Sequence, residues 1–299
     1  GQGGYTNEIL KYKATKVIGL DRDIDSEIIG KKIQDKFPNR FLFRNLRFSN
    51  LKNLKLKNEN IKGIVFDLGY SYSQIKNLEK GLSFHSSGKL NMTMGLNDFS
   101  ANEAVNNLDG KELEKILKYF GEENDSKIIS RNIVKERLLK RLNTQDLVKI
   151  IGRSKKKKNY KIHSATKTFQ ALRIFVNKEI SELVQGIINA TKVLKPGGKI
   201  LIISFHSIED KIVKYFFSNF SSSKSKPSRY LPEIRDEGMS LFENYKNKIF
   251  KPKNSEVIKN PPSRSAKLRY AIRNQNEFYY PEELIIKFKK YTDLENLNV

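Results

Sequence analysis

Acidic and polar side chains stand at the end of three short apolar runs in this chain. Each run is rich in isoleucine, valine or leucine and has the length of a strand that is covered on both faces. Because open α/β sheets bind their ligands outside the carboxyl ends of the strands, these positions are candidates for chemistry. They hold Asp21, Asp67, and the cluster of Ser204, His206 and Ser207.

A glycine-rich loop precedes the first of these runs, with Gly3 and Gly4 followed by Tyr5. Glycines let a backbone approach a ligand closely, and Asp21 stands at the end of the strand that follows. A carboxylate at that point can accept hydrogen bonds from both hydroxyls of a ribose. The combination indicates a cofactor that contains adenosine. The alternative is that Asp21 caps the next helix, but Asp23 is the better candidate for that cap.

Further polar groups follow the other two runs. Asp67 and Gln74 can hold the polar edge of an adenine or the amine of a substrate, although a turn with surface polar residues is an equally good explanation. Ser207 suits the N-cap of a helix, with Asp210 three residues on to complete a capping box. The sequence therefore predicts that a helix starts directly after the third run.

The elements that position these residues alternate between strand and helix in the first part of the chain. Strands are predicted at 16–20, 40–46 and 61–66, with helices at 7–13 and 24–36. Asp23 would cap the second helix, whose Ile24, Ile28 and Ile29 fall on one face. Strands that alternate with helices predict βαβ units and a parallel sheet.

The alternation stops after residue 78, and the pattern of residues 96–162 is that of charged helices without a strand-like run. This pattern predicts an inserted helical subdomain. Its apolar positions at helical spacing are Leu113, Ile116, Leu117, Phe120, Ile129, Ile133 and Leu138. A long helix at 168–194 and a Pro-Gly-Gly turn at 196–198 then lead into the strand before Ser204. The last predicted elements are an edge strand at 264–273 and a short amphipathic helix after Pro281.

The composition limits the chemistry available to this 299-residue chain. It has no cysteine, which excludes disulfides, thiolate nucleophiles, iron–sulfur clusters and cysteine-based zinc sites. Its three histidines stand far apart in sequence, so we expect no metal site. Because the chain has neither an apolar stretch of membrane-spanning length nor a signal peptide, we expect a cytoplasmic protein without membrane association.

The chain is strongly basic, with 57 Lys and Arg against 33 Asp and Glu and a formal net charge of +24. Such a field attracts polyanions, of which nucleic acid is the commonest inside cells. Candidate contacts are the basic segment at 155–158, a predicted flexible linker at 221–229, and Arg264 and Arg269 in the final strand. The alternatives are solvated loops and ordinary surface charge, and the excess of lysine is also typical of an AT-rich genome.

Taken in order, the motifs of the chain resemble the bacterial 16S ribosomal RNA cytosine-N4 methyltransferase family, over essentially residues 1–273. The matching motifs are Gly3-Gly4-Tyr5, Leu20-Asp21-Arg22-Asp23, Phe66-Asp67-Leu68-Gly69 with Gln74, Gly81-Leu82-Ser83-Phe84, Tyr119-Phe120-Gly121-Glu122, residues 166–177, Pro196-Gly197-Gly198, residues 204–210, and Asn260-Pro261 with residues 264–269.

The resemblance implies an α/β fold, a Rossmann-like S-adenosylmethionine-dependent methyltransferase sheet with an inserted helical subdomain. The methyltransferase domain would comprise 1–78 and 165–275, the insertion 79–164, and a C-terminal tail 276–299. The reaction implied is methylation of the exocyclic N4 of one cytidine in the decoding region of 16S rRNA, position 1402 in rRNA numbering. The cofactor would be S-adenosyl-L-methionine, and the partner 16S rRNA or the small ribosomal subunit.

The resemblance also carries site residues over to this chain. The cofactor pocket that it implies comprises Gly3, Gly4, Tyr5, Asp21, Phe48, Asp67 and Gln74. In that pocket Asp21 would hold the ribose hydroxyls and Phe48 would pack near the adenine. The catalytic residues would be Asp67, which orients the target amine, and Ser204 and His206, which hold the cytosine. Because the base must leave its stack, the candidates to grip a flipped nucleotide are Tyr70, Tyr72 and Phe84.

The chain departs from the family's pattern at three places. It begins inside the glycine-rich loop, so we expect the strand that usually precedes this loop to be missing. Tyr5 stands where histidine is usual, and Asn91 where aspartate is usual. Two other functions stay open. A DNA amino-methyltransferase would need an Asp-Pro-Pro-Tyr type of motif where residues 67–70 are Asp-Leu-Gly-Tyr, and a non-catalytic RNA-binding protein of ribosome assembly would keep the fold without the reaction.

Overall fold

The computed structural model describes residues 1–54, 60–86, 89–97, 99–155, 163–222, 240–243 and 245–297. Most of the predicted basic segments at 155–158 and 221–229 lies outside these ranges. The chain divides into two compact units. The first comprises Gly1–Phe48, Tyr70–Ser181 and Lys290–Val299, and the second Ser49–Gly69 and Glu182–Lys289. These boundaries differ from the predicted division into a methyltransferase domain, an insertion and a tail, which stays a prediction.

The first unit begins with a small α/β layer. Its elements are α1 (Gly4–Leu10), β1 (Val17–Asp21), α2 (Ser26–Lys36) and β2 (Phe41–Asn45). The two strands pair in parallel from Val17 opposite Phe41 to Asp21 opposite Asn45, so the predicted βαβ unit is confirmed. The core of this layer consists of Leu10, Ile33 and Phe41, against which partly buried side chains of the strands and helices pack.

The helices of this layer differ from the prediction. α1 starts three residues before the predicted position, because Gly3 adopts a left-handed conformation and ends the preceding loop there. The predicted apolar face of α2 is wrong, since Ile24 and Ile28 are 57% and 63% exposed. α2 instead turns Gly30 and Ile33 inward. A Cβ at Gly30 would lie 2.5 Å from Cγ of Phe43, so the absence of a side chain allows α2 to pack closely on β2.

The rest of the first unit is helical, as the sequence predicts. The helices are α3 (Tyr72–Lys76), α4 (Ala101–Asn107), α5 (Gly110–Phe120), α6 (Ser126–Arg137), α7 (Thr144–Ser154) and α8 (Thr166–Asn177), and no strand lies among the described residues between α3 and α8. Capping boxes start α4, α5 and α7. The predicted apolar residues from Leu113 to Ile133 have no exposed surface. Leu138 is the exception and is 81% exposed, because α6 ends just before it.

The predicted helix at 168–194 is interrupted. α8 ends at Asn177, Lys178 has a left-handed backbone with φ 50°, and α9 (Glu179–Val193) follows. The buried Asn177 side chain holds this break. Its Nδ2 donates to the carbonyls of Met92 and Arg173 at 2.8 and 2.9 Å, and its Oδ1 accepts from the Met94 N–H and from Asn97 Nδ2 at 2.8 and 3.0 Å. A local helical pattern cannot show this break, because residues distant in sequence stabilise it.

A buried acid caps the start of α9. Glu295 lies in the last turn of α12 (Glu282–Glu295), and its carboxyl accepts from the N–H groups of Ile180 and Ser181 at 2.8 and 2.7 Å and from Ser181 Oγ at 2.5 Å. Burial raises the pKa of Glu295 to about 8. The hydrogen bonds lower it and the charge of Glu179 raises it further. The folded protein therefore keeps a proton on Glu295 at neutral pH.

This raised pKa predicts a decrease in stability with rising pH. The unfolded chain releases the Glu295 proton near pH 4.3, whereas the folded chain keeps it until about pH 8. The contribution of Glu295 to the free energy of unfolding should thus fall by on the order of 5 kcal/mol between these pH values. Urea unfolding of the wild type and of Glu295→Gln at pH 5, 7 and 9 measures the effect. We expect the wild type to lose stability relative to Glu295→Gln as the pH rises, because only the wild type has an ionisable group at this position. Parallel profiles of unfolding free energy against pH would contradict the assignment.

The second unit contains a three-stranded sheet in the order β3 (Gly63–Asp67), β4 (Lys199–Ser204), β5 (Lys267–Ile272). β3 and β4 are parallel, and β5 is antiparallel to β4, so the predicted final edge strand is confirmed. The unit also contains the helices α10 (Ser207–Asn219) and α11 (Asn254–Lys259), most of α9 and the first part of α12. Gly197 takes the positive φ of 76° that the predicted Pro-Gly-Gly turn requires. Among the described helices, none has the length and apolar character needed to cross a membrane.

Candidate active site

The glycine-rich loop and Asp21 lie together in the first unit. Gly3 has a φ of 72°, and a Cβ at this position would lie 2.3 Å from Cδ1 of Ile33, so only glycine suits it. A Cβ at Gly4 would meet no atom within 4 Å, which leaves its backbone open. The Asp21 carboxylate accepts from the Asp23 N–H at 2.8 Å and from Ser26 Oγ at 2.9 Å, and the amine of Gly1 lies against it. An anion at the end of β1 therefore contacts the first residue of the glycine-rich loop.

Asp23, which the sequence suggested as a helix cap, has a different role. The cap position of α2 is Asp25, whereas the buried Asp23 side chain accepts hydrogen bonds from Gln74 and Lys80 and from the Asp25 N–H. Lys80 also pairs with Asp25 at 2.8 Å. Burial alone would raise the pKa of Asp23, but the hydrogen bonds from Gln74 and Lys80 outweigh it and lower the pKa. The prediction of a simple cap is wrong because buried Asp23 requires charged and amide donors.

A cavity of about 290 Å³ lies beside this ion pair. Most of its lining side chains are polar, but apolar atoms make up the larger part of its surface, with Ile28 and Ile29 contributed by α2. The lining residues are Gln2, Asp23, Asp25, Ser26, Ile28, Ile29, Ser71, Gln74, Asn77 and Lys80. Because Gln2 adjoins the glycine loop and Ser26 hydrogen-bonds Asp21, the cavity extends from the predicted cofactor residues to α3.

The other predicted cofactor residues of the first unit have separate places. Gln74 lies in α3, and its Oε1 accepts from the Ser71 N–H at 2.7 Å while its amide donates to Asp23. Tyr5 lies in α1 and has about half of its surface exposed. Phe48 begins a short 3-10 turn, Phe48–Asn53, and is partly buried. Gln74 is thus the predicted residue tied most directly to the Asp21–Asp23 segment.

The predicted residues of the second unit lie at one end of its sheet. Asp67 ends β3 opposite Ile203 of β4, and the Leu68 N–H donates to the Ile203 carbonyl at 3.1 Å. Gly69 turns the chain with a φ of 86°. Although Asp67 has an exposed edge, surrounding protein atoms desolvate its carboxyl and raise its pKa, and the charge of Glu209 acts in the same direction. Asp67 and the residues that follow β4 thus share one sheet edge.

Ser204 and His206 both form hydrogen bonds with other residues of the second unit. Ser204 is buried, and its Oγ donates to the Lys267 carbonyl at 3.3 Å. The predicted cap of α10, Ser207 with Asp210, is wrong by one residue, since His206 is the N-cap and Glu209 completes the box. Oε2 of Glu209 accepts from the N–H groups of Phe205 and His206 at 2.8 and 3.3 Å. The glutamate side chain is long enough to reach back to these two N–H groups, and the helix therefore starts with His206 as its N-cap.

The His206 imidazole is 5% exposed. Its Nδ1 accepts from the Glu209 N–H at 3.5 Å, and its Nε2 lies 3.2 Å from Oε1 of the same residue. His206 is therefore held by the helix that it caps.

Arg269 is neither a surface charge nor an available phosphate contact. Its side chain is 3% exposed and bonds to Asp210 of α10, with Nε to Oδ1 at 2.7 Å. Its Nη1 donates to Tyr245 Oη at 2.9 Å and to Asn247 Oδ1 at 2.8 Å. Lys267 joins the pair at 3.2 Å from Asp210. Arg264, the other predicted contact, is exposed.

Aromatic side chains of the first unit fall into two environments. Phe84 stacks on His163 with ring centroids 4.1 Å apart and planes 5° apart, and His85 and Phe169 also contact it. Tyr70 is 40% exposed and lies over the Arg173 guanidinium at 4.7 Å from the ring centroid. The Tyr72 side chain lies outside the described part of the structure.

Several residues of these surroundings were not predicted. Lys80 directly precedes the Gly-Leu-Ser-Phe motif, but the sequence around it does not indicate that it pairs with Asp23. Arg173 donates two hydrogen bonds to Glu179, from Nε to Oε1 at 2.7 Å and from Nη2 to Oε2 at 2.9 Å. The high density of polar residues in α8, an otherwise buried helix, indicated a polar interaction of this kind. The partner Glu179 was not predictable, because the helix breaks between Arg173 and Glu179.

Comparison with known proteins agrees with these observations. The sequence model of the MraW methylase family matches residues 1–274. A protein of Bartonella grahamii named ribosomal RNA small subunit methyltransferase H is 40% identical over 282 residues, which are 93% of this chain and 82% of the relative. Proteins with the same name from Bartonella henselae and Ehrlichia canis are 39% and 38% identical. They align over 99% and 91% of this chain and over 84% and 91% of their own lengths.

The family match covers both sheets, all of the predicted site residues and the helices between them. The predicted α/β methyltransferase fold and the predicted methyltransferase class are thereby confirmed. The chain belongs to the MraW methylase family.

Proposed function

We propose that this protein transfers a methyl group from S-adenosyl-L-methionine to the exocyclic N4 of a cytidine in 16S rRNA. The observation that carries the proposal is the Asp21 carboxylate at the end of β1 beside the glycine-rich loop, in which a Cβ at Gly4 would meet no atom, in a chain of the MraW methylase family. The substrate is proposed because the relatives are named ribosomal RNA small subunit methyltransferases. We further propose position 1402 as the target, in the cytoplasm, with 16S rRNA or the small subunit as partner.

The residues of the first unit fit the proposed cofactor. A glycine loop without Cβ atoms can approach a ligand, and the Asp21 carboxylate can accept bonds from the two ribose hydroxyls. We assign Gly3, Gly4 and Tyr5 to the loop side, and Phe48, Asp67 and Gln74 to the remaining contacts. When bound, S-adenosyl-L-methionine supplies the methyl group as an electrophile.

The target nitrogen sets the task of the protein. The lone pair of cytosine N4 is delocalised into the ring, so the chain must orient the amine and accept hydrogen bonds from it as its proton becomes acidic. We propose Asp67 for this task, since it ends β3 and the residue retains exposed surface. A strong base is not required, and the proton passes to solvent. We keep Ser204 and His206 as proposed contacts of the cytosine. Their present bonds to Lys267 and Glu209 would have to exchange for bonds to the base.

The formal charge of +24 supports a polyanionic substrate. The decisive experiment is transfer of labelled methyl groups to small ribosomal subunits that lack the modification, followed by identification of the product nucleoside. N4-methylcytidine in the rRNA is the expected product. Transfer to DNA instead would favour the alternative amino-methyltransferase. Binding of subunits without cofactor binding in titration calorimetry would favour a non-catalytic assembly protein.

Replacement of Asp67 tests its proposed role. We expect Asp67→Asn to lower kcat about 100-fold, because the amide no longer offers a charged acceptor to the amine while its carbonyl oxygen still serves neutral contacts. Turnover on small subunits and cofactor affinity by calorimetry are the measurements. The variant should bind the cofactor within a few-fold of the wild type. Wild-type turnover in this variant would remove Asp67 from the reaction.

A further inference from the structure

Methylation of a paired or stacked cytidine requires that its base leave the stack, and an aromatic side chain then commonly receives it. Of the three aromatic residues that the sequence offers for this role, Phe84 already contacts His163, His85 and Phe169. Its ring is therefore part of a cluster in the first unit. Tyr70 is partly exposed and has a different kind of neighbour.

One neighbour of Tyr70 is a cation on its ring. The Arg173 guanidinium lies 4.7 Å from the ring centroid, within the range of a cation–π contact. The Arg173 side chain is itself held in place, because its Nε and Nη2 donate hydrogen bonds to the two carboxylate oxygens of Glu179. A bidentate pair of this kind holds its guanidinium in one orientation. The ring of Tyr70 is thus supported from one side by a rigid group.

The other requirement is that the ring has free surface. Tyr70 is 40% exposed, while Arg173 beneath it is buried. A supported ring with exposed surface loses little conformational entropy when a base stacks on it, which is the advantage of a preorganised contact. Any base can stack on such a ring, since every base has a π face.

The chain also limits the distance between Tyr70 and the proposed amine-binding acid. Two residues, Leu68 and Gly69, separate Tyr70 from Asp67, so three peptide units join them and their Cα atoms are at most about 11 Å apart. Gly69, with its positive φ, makes the chain turn between them. The covalent chain alone therefore limits the separation between Tyr70 and the acid proposed for the amine.

We propose that Tyr70 is the stacking surface for the target cytosine and that the Arg173–Glu179 pair positions its ring. This assignment rests on the proposed function and adds the residue that holds the flipped base. Asp67 would then choose the amine, while Tyr70 provides contact area that does not depend on the identity of the base.

Two substitutions at one position test the assignment. Tyr70→Phe keeps the ring, and Tyr70→Leu removes it while keeping an apolar side chain of moderate size. With small ribosomal subunits lacking the modification, we expect Tyr70→Phe to stay within about threefold of the wild-type kcat/KM. Tyr70→Leu should lower kcat/KM about 10- to 100-fold, the range expected for the loss of one base–aromatic stack.

Controls separate stacking from other effects. Cofactor affinity, measured by calorimetry, should be the same for wild type and both variants, and Tyr12→Leu, which alters a tyrosine that is 72% exposed in the same unit, should leave kcat/KM unchanged. An RNA hairpin with a fluorescent cytidine analogue at the target position gives a second readout. Its quenching on binding should be lost with Tyr70→Leu and kept with Tyr70→Phe.

The outcomes distinguish the two proposals. A wild-type protein that transfers no methyl group to small subunits would remove the proposed function, and the assignment of Tyr70 with it. An active wild type with equal activity and quenching in Tyr70→Leu would overturn the assignment alone. Loss of activity in Tyr70→Phe as severe as in Tyr70→Leu would also overturn it, because the hydroxyl and not the ring would then be needed.

Discussion

Replacing Asp210 with alanine should lower the free energy of unfolding by about 3–5 kcal/mol, because it leaves the buried Arg269 guanidinium without its counter-charge. Arg269 keeps only the neutral oxygens of Tyr245 and Asn247 in that variant. Lys267 would lose the same partner and add to the unbalanced positive charge. Chemical unfolding at neutral pH, followed by circular dichroism, measures the effect.

The double variant Asp210→Ala with Arg269→Met is the matched control. Because it removes both charges and retains the length of the buried side chain, we expect it to recover much of the lost stability. A single variant as stable as the wild type would show that the pair contributes nothing to the sheet–helix contact. If the double variant lost more stability than the two single variants lose together, the loss in Asp210→Ala could not be assigned to an unpaired charge.

The same pair predicts sensitivity to acid. Burial would raise the pKa of Asp210, but the hydrogen bonds and charges of Arg269 and Lys267 outweigh it and lower the pKa. A carboxyl with a lowered pKa in the folded state stabilises the protein at neutral pH, and that contribution is lost as the pH falls below its ordinary value. Acid unfolding of Asp210→Ala should therefore begin at a higher pH than that of the wild type, and the difference in stability between the two proteins should shrink as the pH falls.

Replacing Asp21 with alanine should weaken binding of S-adenosyl-L-methionine about 100-fold or more. Two hydrogen bonds from ribose hydroxyls to a carboxylate are lost, and bonds to charged groups contribute about 1.5–3 kcal/mol each. Titration calorimetry measures the affinity directly and does not depend on the RNA. Asp21→Asn should fall between the wild type and the alanine variant, since one acceptor oxygen remains.

A control for Asp21 must remove a nearby acid without touching the glycine loop. Glu8→Ala serves this purpose, because Glu8 is exposed and its described partner is Lys11 of the same region. We expect its cofactor affinity to equal that of the wild type. If Asp21→Ala also bound the cofactor normally, the role of Asp21 would be to accept the hydrogen bonds from Ser26 and Asp23, and the proposed ribose contact would be wrong.

The strands were predictable because their signal is local. Each of the runs that end at Asp21, Asp67 and Ser204 is short, rich in branched apolar residues and followed directly by a polar group. That pattern depends on neighbouring residues alone, and the structure confirms all three strands. The acids at the strand ends followed from the same local signal.

Helix ends and ion-pair partners were less predictable because distant residues decide them. The start of α10 shifted by one residue since Glu209 reaches back further than Asp210 could. Asp210 was then left for Arg269, a residue 59 positions away. Glu295 caps a helix start 115 residues before it. No periodicity in a single segment contains information about such partners, so the sequence identified the charged residues without their pairing.

Asn177 has a consequence for how the chain folds. Its side chain bonds to residues 92, 94 and 97, and so joins two points of the chain about 80 residues apart. The helices α4 to α8 lie between these points. In the unfolded chain, the entropy cost of bringing two such points together grows slowly with the length between them, by about 0.6 kcal/mol for each doubling. The long separation at Asn177 therefore affects the rate of folding more than the stability of the folded state.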